Sequence, residues 1–269
     1  MSAAQRTRAA LGQNLFAAAS SARTLVAHAR VAPGARVYDL GAGTGLITAA
    51  LVEASARVIA VERDANLARK LRQRFAGEPR VVVLEADLDD VRFRAPFAVV
   101  ASPPFGRTAA LLRRLTGETP APEAAALVLQ REAARKWAGR PRPTAVSLAT
   151  APWFETSVAE PFRRRDFVPA PAVDVAVLSL VRRPRPDLDD ALRGAWTGFV
   201  RHAFGRGRAD ARGAFRGLLS HLQWRRLSAG LGLPSDARLA ELAYEDWLAI
   251  FHFALACTPL AKQRRAGVA

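Results

Sequence analysis

Four short clusters in the chain carry residue types suited to holding a small polar ligand and steering an amine. Asp39, Gly41, Gly43 and Gly45 stand in VYDLGAGTG, Glu62 in VIAVERD, Asp87 and Leu88 in EADLDD, and Ser102, Pro103, Pro104 and Phe105 in ASPPF. Glycines at every second position after an apolar run let backbone approach a ligand closely where a strand turns into a helix. The spacing has neither the GKS or GKT of a phosphate loop nor the full dinucleotide fingerprint, so the turn alone leaves open whether a nucleotide-like ligand binds. Glu62 lies seventeen residues after Gly45. There it can accept hydrogen bonds from two ribose hydroxyls, or it is an ordinary acidic strand end. Asp87 is placed to accept from an adenine amino group, with Leu88 packing on the base.

The SPPF segment suits the other reactant. Adjacent prolines stiffen the turn, so polar atoms near Ser102 can be held against a planar substrate, and Phe105 can stack on a flipped base. An acceptor there takes a hydrogen bond from an exocyclic NH2 and directs the nitrogen lone pair toward a methyl group. An electron-poor amine needs that positioning more than a strong base. The plain alternative is a loop that happens to read SPPF.

The elements needed to position these clusters are legible around them. Apolar, β-branched runs at 36–40, 57–62, 80–87, 97–102 and 125–130 alternate with helical patterns at 46–54, 64–75 and 107–116, after a short helix at 21–30. Such alternation predicts an α/β fold whose mainly parallel sheet is covered on both faces. Runs at 152–159 and 173–183 complete the sheet as an antiparallel edge hairpin. After RRPRPDLDD at 182–190 the pattern becomes helical, with units at 187–204, 209–229 with a break, 236–242 and 244–257. The expected division is therefore a ligand-binding domain at 1–183 and a small helical domain at 184–269.

Charge narrows the partners. Forty Lys and Arg oppose 24 Asp and Glu, for a formal net charge of +16. Such a surface attracts polyanions, nucleic acid first among them. Residues 181–230 alone carry eleven Arg against four Asp, which marks the helical domain as a basic arm. In its glycine-flanked turn, Arg206 and Arg208 are candidate phosphate contacts. Arg131 and Arg135 either face RNA or are ordinary helix-surface charge. One cysteine, Cys257, excludes an intrachain disulfide framework and reads as a core thiol. The four histidines have no metal-binding spacing, so no metal is expected. Trp137, Trp153 and Trp247 read as core aromatics. The expected setting is cytoplasmic, away from membranes.

Taken in order, these segments resemble the ribosomal RNA adenine N6-dimethyltransferases, among them the erythromycin-resistance (Erm) 23S rRNA adenine N6-methyltransferases. The resemblance runs from about Leu11 to the C-terminal helices. GQNLF at 12–16 is similar to the motif beside the cofactor, which places Gln13, Asn14 and Leu15 at the binding site. DLGAGTG, VIAVERD with Glu62 and Arg63, and EADL resemble the successive cofactor motifs in order and spacing. LQREAARKWAG at 129–139, FVPAPAVDVAVLSLVRR at 167–183 and FVRHAFGRGR at 199–208 resemble later family segments, the last favouring the Erm branch over the 16S enzymes.

The resemblance implies a Rossmann-like class I methyltransferase with a mixed, mainly parallel seven-stranded sheet and a small C-terminal all-helical domain. It implies S-adenosyl-L-methionine as methyl donor and one adenine of the 23S peptidyl-transferase loop as target, methylated before ribosome assembly is complete. A monomer without an obligate protein partner is expected, and the biological consequence would be resistance to macrolide, lincosamide and streptogramin B drugs. The alternatives are a 16S adenine dimethyltransferase and a noncatalytic RNA-binding assembly factor. Where the family commonly has Asn, this chain has Ser102. A hydroxyl and a neighbouring backbone carbonyl would then replace the carboxamide as acceptors.

Overall fold

The computed structural model of the 269-residue chain describes residues 15–207, 210–234 and 236–268. The described chain divides into two compact units, one drawn from 1–138 and 154–184, the other from 139–153 and 185–269. The chain thus passes from one unit to the other three times.

In the first unit, β1 (Leu15–Phe16) and α1 (Ala19–His28) lead into β2 (Arg36–Leu40), α2 (Leu46–Glu53), β3 (Arg57–Glu62), α3 (Ala65–Arg74) and β4 (Val81–Glu85). Then follow β5 (Ala98–Ala101), α4 (Thr108–Gly117), β6 (Ala124–Gln130) and α5 (Arg131–Trp137). After a helix in the second unit, α6 (Ala145–Thr150), the chain returns as β7 (Phe154–Ala159), β8 (Phe167–Val168) and β9 (Val175–Arg182). The seven-stranded sheet has the order β4-β3-β2-β5-β6-β9-β7. Strands β4 to β6 pair in parallel, and β9 runs antiparallel between β6 and β7. This is the Rossmann-like mixed sheet expected, with β7 rather than β9 outermost. A separate two-stranded pairing joins β1 to β8, opposing Leu15 to Val168 and Phe16 to Phe167.

Helices cover both faces, so the central strands carry almost no polar side chain and every residue of β5 is buried. Helix α3 shows the opposite logic on a surface. Asp64 caps it by accepting from Asn66 N and Leu67 N, while Ala68 and Leu71 turn inward, Leu67 is half-buried and the remaining side chains stay wet. Such a cap stabilises by about 1 kcal/mol.

The second unit gathers α6 with α7 (Arg193–Gly205), α8 (Ala211–Ala214), α9 (His221–Gly230), α10 (Tyr244–Cys257) and α11 (Leu260–Ala266). Its core is aromatic: the Trp196 ring meets Phe251 edge-on at 5.1 Å, and Phe199 stacks on Phe215 at 5.2 Å. Segment 139–153 is integral to it, since Trp196 Nε1 donates to Leu148 O of α6 at 2.8 Å and the Arg193 guanidinium lies 4.0 Å above Trp153.

The break expected within 209–229 separates α8 from α9, because Gly217 adopts φ +92° and Ser220 caps a new start by accepting from Gln223 N. Two local expectations change here. The helix expected at 236–242 is only a single 3-10 turn, Leu239–Glu241. Cys257 is exposed rather than core, because it ends α10 just beyond the buried face formed by Trp247, Ile250, Phe251 and Ala254. Trp137, Trp153 and Trp247 are buried as core aromatics. Among the described residues no helix is long and apolar enough to cross a membrane.

Candidate active site

The pocket in the first unit opens beyond the carboxyl ends of β2, β3, β4 and β5, where the parallel order turns outward on both sides of β2. Leu15, Gly41, Gly43, Glu62, Arg63, Asp87, Leu88, Ser102 and Pro104 line it, together with Leu67, Ala86 and Arg107. Four sequence clusters separated by up to about sixty residues thus meet on one cavity, as their positions at successive strand ends require.

The glycine turn is held from below and behind. Gly41 N and Ala42 N both donate to Val61 O at 2.9 Å, and Arg74 Nη1 donates to Thr44 O at 2.6 Å. Glu62 is buried and uses both oxygens, Oε2 accepting from Gly43 N and Oε1 from Asp64 N, each at 2.9 Å. Each carboxylate oxygen keeps acceptor capacity after one such bond, which two ribose hydroxyls could use. Gly43 has φ +57°, the left-handed region that favours glycine, and a Cβ there would press on the Leu15 Cδ2 methyl at 2.7 Å.

Asp39 does not line the pocket. It is fully buried beneath the glycine turn, where Thr48 Oγ1 donates to its Oδ2 at 2.6 Å, joining the end of β2 to the first turn of α2. Burial pushes its carboxyl up to about 7; the Thr48 hydrogen bond opposes this and the Glu62 charge adds to it. Gly45 likewise lies outside the lining. It begins α2 at φ +81°, with Leu71 and Phe75 where a Cβ would go.

Asp87 is the most heavily engaged carboxylate. Its Oδ1 accepts from Arg107 Nη2 at 2.7 Å and Asp89 N at 3.1 Å, and its Oδ2 lies 3.4 Å from Arg63 Nη1. The Arg107 guanidinium, which also reaches Asp89 Oδ2 at 2.6 Å, holds the Asp87 carboxyl below the usual carboxylate range. Arg107, like Leu67 and Ala86, is a lining residue that the sequence motifs did not single out. Its two-residue distance from Phe105 was a signal, but one arginine among 40 cationic residues does not stand out.

The SPPF segment divides. Ser102 and Pro104 face the pocket, and Pro103 is buried behind them. Phe105 is half-buried and packs against the core of the first unit, at the start of a 3-10 turn whose carbonyl accepts from Thr108 Oγ1. Of the candidate RNA contacts, Arg131 pairs with Glu132 and Asp174, and Arg135 with Glu160 at 2.7 Å. Arg206 ends α7 in the second unit. Gln13, Asn14 and Arg208 lie outside the described residues.

A glycine turn below, carboxylates at two strand ends, apolar Leu15, Leu67 and Leu88, and a stiff polar turn opposite fit an adenosyl cofactor beside an amine. This sheet order and this site define a Rossmann-like methyltransferase, with S-adenosyl-L-methionine as the methyl donor.

Comparison with known proteins agrees. The family model for ribosomal RNA adenine dimethylase matches residues 4–255. A Streptomyces thermotolerans rRNA methyltransferase is 35% identical over 93% of this chain and 84% of its own length. The rRNA adenine N-6-methyltransferase of Saccharopolyspora erythraea is 32% identical over 91% of this chain and 65% of its own. The crystal structure of 23S rRNA methyltransferase ErmE superposes with a TM-score of 0.80 at 30% identity, covering 90% of this chain and 99% of that one. The chain belongs to the ribosomal RNA adenine dimethylase family and is an rRNA adenine N6-methyltransferase.

Proposed function

We propose that this enzyme methylates N6 of one adenine in the peptidyl-transferase loop of 23S rRNA, and so confers resistance to macrolide, lincosamide and streptogramin B drugs. The observation that carries the reaction is the single pocket on which Glu62, Asp87 and Ser102 converge. The choice of 23S RNA is supported by the likeness to ErmE over nearly the whole of both chains, and by the Micromonospora griseorubida mycinamicin-resistance protein MyrB, 40% identical over 177 residues.

The cofactor supplies an electrophilic methyl group, and the protein's task is placement. Glu62 accepts from the ribose hydroxyls, Asp87 from the adenine amine, and Leu15 and Leu88 pack on the nucleoside. Ser102 and the adjoining carbonyl accept from the target N6, with Pro103 and Pro104 fixing their direction. Phe105 gives the turn its footing in the core and the base its wall. The second unit, mostly 184–269, binds RNA phosphates through Arg206 and Arg208, aided by Arg131 and Arg135 on the first. The enzyme works as a monomer on RNA not yet fully assembled into ribosomes. A methylated amine adds bulk and loses a donor, so a drug that contacts it binds less well.

The test is methylation of protein-free 23S and 16S RNA with methyl-labelled cofactor, mapped by mass spectrometry. Label at one 23S peptidyl-transferase-loop adenine is expected. Label confined to 16S adenines would replace the target, in line with the Streptomyces griseus small-subunit methyltransferase A that is 31% identical over 251 residues. Cofactor binding without label on either RNA would overturn both targets.

A further inference from the structure

The second unit contains a concave, strongly basic site in which Arg206, assigned above to an RNA phosphate, is one of several cations. Arg206 at the end of α7, Arg212 on α8, Arg216 in the turn that follows, and His221 at the start of α9 surround a cavity of about 570 Å³. All four side chains belong to exposed residues. Among the described residues none of the three arginines forms an ion pair, whereas Arg131 and Arg135 of the first unit are both paired.

The one carboxylate in the cavity, Asp210, is already engaged: it caps α8 by accepting from Gly213 N at 2.6 Å. The rest of the wall also favours an anion. Ser220 caps α9, its hydroxyl accepting from Gln223 N while Gln223 Oε1 accepts from Ser220 N. That leaves the N–H groups of His221 and Leu222 without acceptors inside the helix, at its positive end. The Arg206 guanidinium is held close over Gly217, whose φ of +92° brings bare backbone beside it. Several guanidinium forks converging on a concavity match the tetrahedral oxygens of phosphate better than the single charge of a carboxylate.

We infer that this cavity is a phosphate socket that grips the RNA backbone, with Arg212 and Arg216 as its principal cations. The inference rests on the enzyme's acting on RNA, but not on which RNA or which adenine. It assigns the socket a positioning task, since backbone contacts set register and orientation without reading sequence.

The experiment measures equilibrium binding of wild-type protein to 23S RNA fragments across a salt series, beside two double variants. One is Arg212→Gln with Arg216→Gln. The other, Arg225→Gln with Arg226→Gln, removes the same charge from exposed positions of α9 outside the cavity. The socket variant is expected to weaken binding at least tenfold and to make the log–log salt slope shallower by about two, one for each lost phosphate contact. The control pair should change both far less, and both variants should keep wild-type affinity for S-adenosylhomocysteine and wild-type melting.

Equal weakening by the two variants would overturn the socket, because net charge alone would then explain binding. So would displacement of RNA by polyglutamate as efficiently as by inorganic polyphosphate. Loss of affinity in the socket variant, without 23S methylation by wild type, would retain the socket and reject the target. Methylation by wild type, with the two variants indistinguishable, would do the reverse.

Discussion

Arg107 Nη2 stands 2.7 Å from Asp87 Oδ1, so the turn that follows SPPF is tied directly to the carboxylate assigned to the cofactor's adenine. The two residues come from loops after different strands, and this ion pair fixes Asp87 within the pocket. Arg107→Met is therefore expected to weaken S-adenosylhomocysteine binding about tenfold and to shrink the preference over its inosine counterpart, which lacks the 6-amino donor. Arg107→Lys should recover part of both. Calorimetric titration with the two nucleosides decides it, since an equal loss for both would mean that Arg107 supports the loop without orienting Asp87.

Glu62 accepts from Gly43 N and Asp64 N, one with each oxygen. In Glu62→Gln the amide NH2 must face one of those two N–H groups, leaving two donors opposed in a buried site. Loss of a hydrogen bond to a charged group is worth about 1.5–3 kcal/mol, so cofactor affinity should fall by roughly 10- to 150-fold. Titration of the variant with S-adenosylhomocysteine checks this; unchanged affinity would remove Glu62 from the site.

Ser102 lines the pocket from the turn assigned to the target amine. Ser102→Ala should lower kcat about tenfold, the equivalent of about 1.4 kcal/mol, while leaving cofactor affinity within twofold of wild type. Ser102→Asn, which installs the residue common in the resembling family, should hold or raise kcat. Single-turnover methylation of 23S RNA separates this chemical step from binding.

Asp39 gives a pH signature. Its carboxyl titrates near 7 in the folded protein, far above its unfolded value of 3.8, so the native state holds the extra proton between those values. Its contribution to stability is fully present below pH 3.8 and is lost as pH rises through about 7. At its steepest the loss is about 1.4 kcal/mol per pH unit. Urea unfolding from pH 5 to 8 should show this decline in wild type and a flatter profile in Asp39→Asn; parallel profiles would contradict it.

The parallel core was legible because each strand is a short apolar run bounded by turn residues, and because Gly43, Glu62 and Asp87 fall at successive strand ends. What stayed hidden depends on contacts distant in sequence. Nothing local to 173–183 tells that β9 enters between β6 and β7, and nothing local to Arg107 tells that Asp87 waits opposite it. Other features were written locally but not read. Ser220 and Gln223 are a capping pair that starts α9, and Pro259 before α11 with Gly267 at φ +69° after it are ordinary helix punctuation. Asp39 shows the converse case: its place in the glycine motif suggested contact with ligand, whereas its side chain turns to Thr48 beneath the loop.

The excursion of 139–153 bears on how such enzymes can exchange parts. Because segment 139–153 contributes the Leu148 carbonyl of α6 and the Trp153 ring to the second unit, a chimera of two relatives joined once near 184 would pair one parent's Leu148 and Trp153 with the other parent's Trp196 and Arg193. Grafting of the helical unit is expected to require a discontinuous transplant that carries both segments, so a simple crossover at that junction would be penalised.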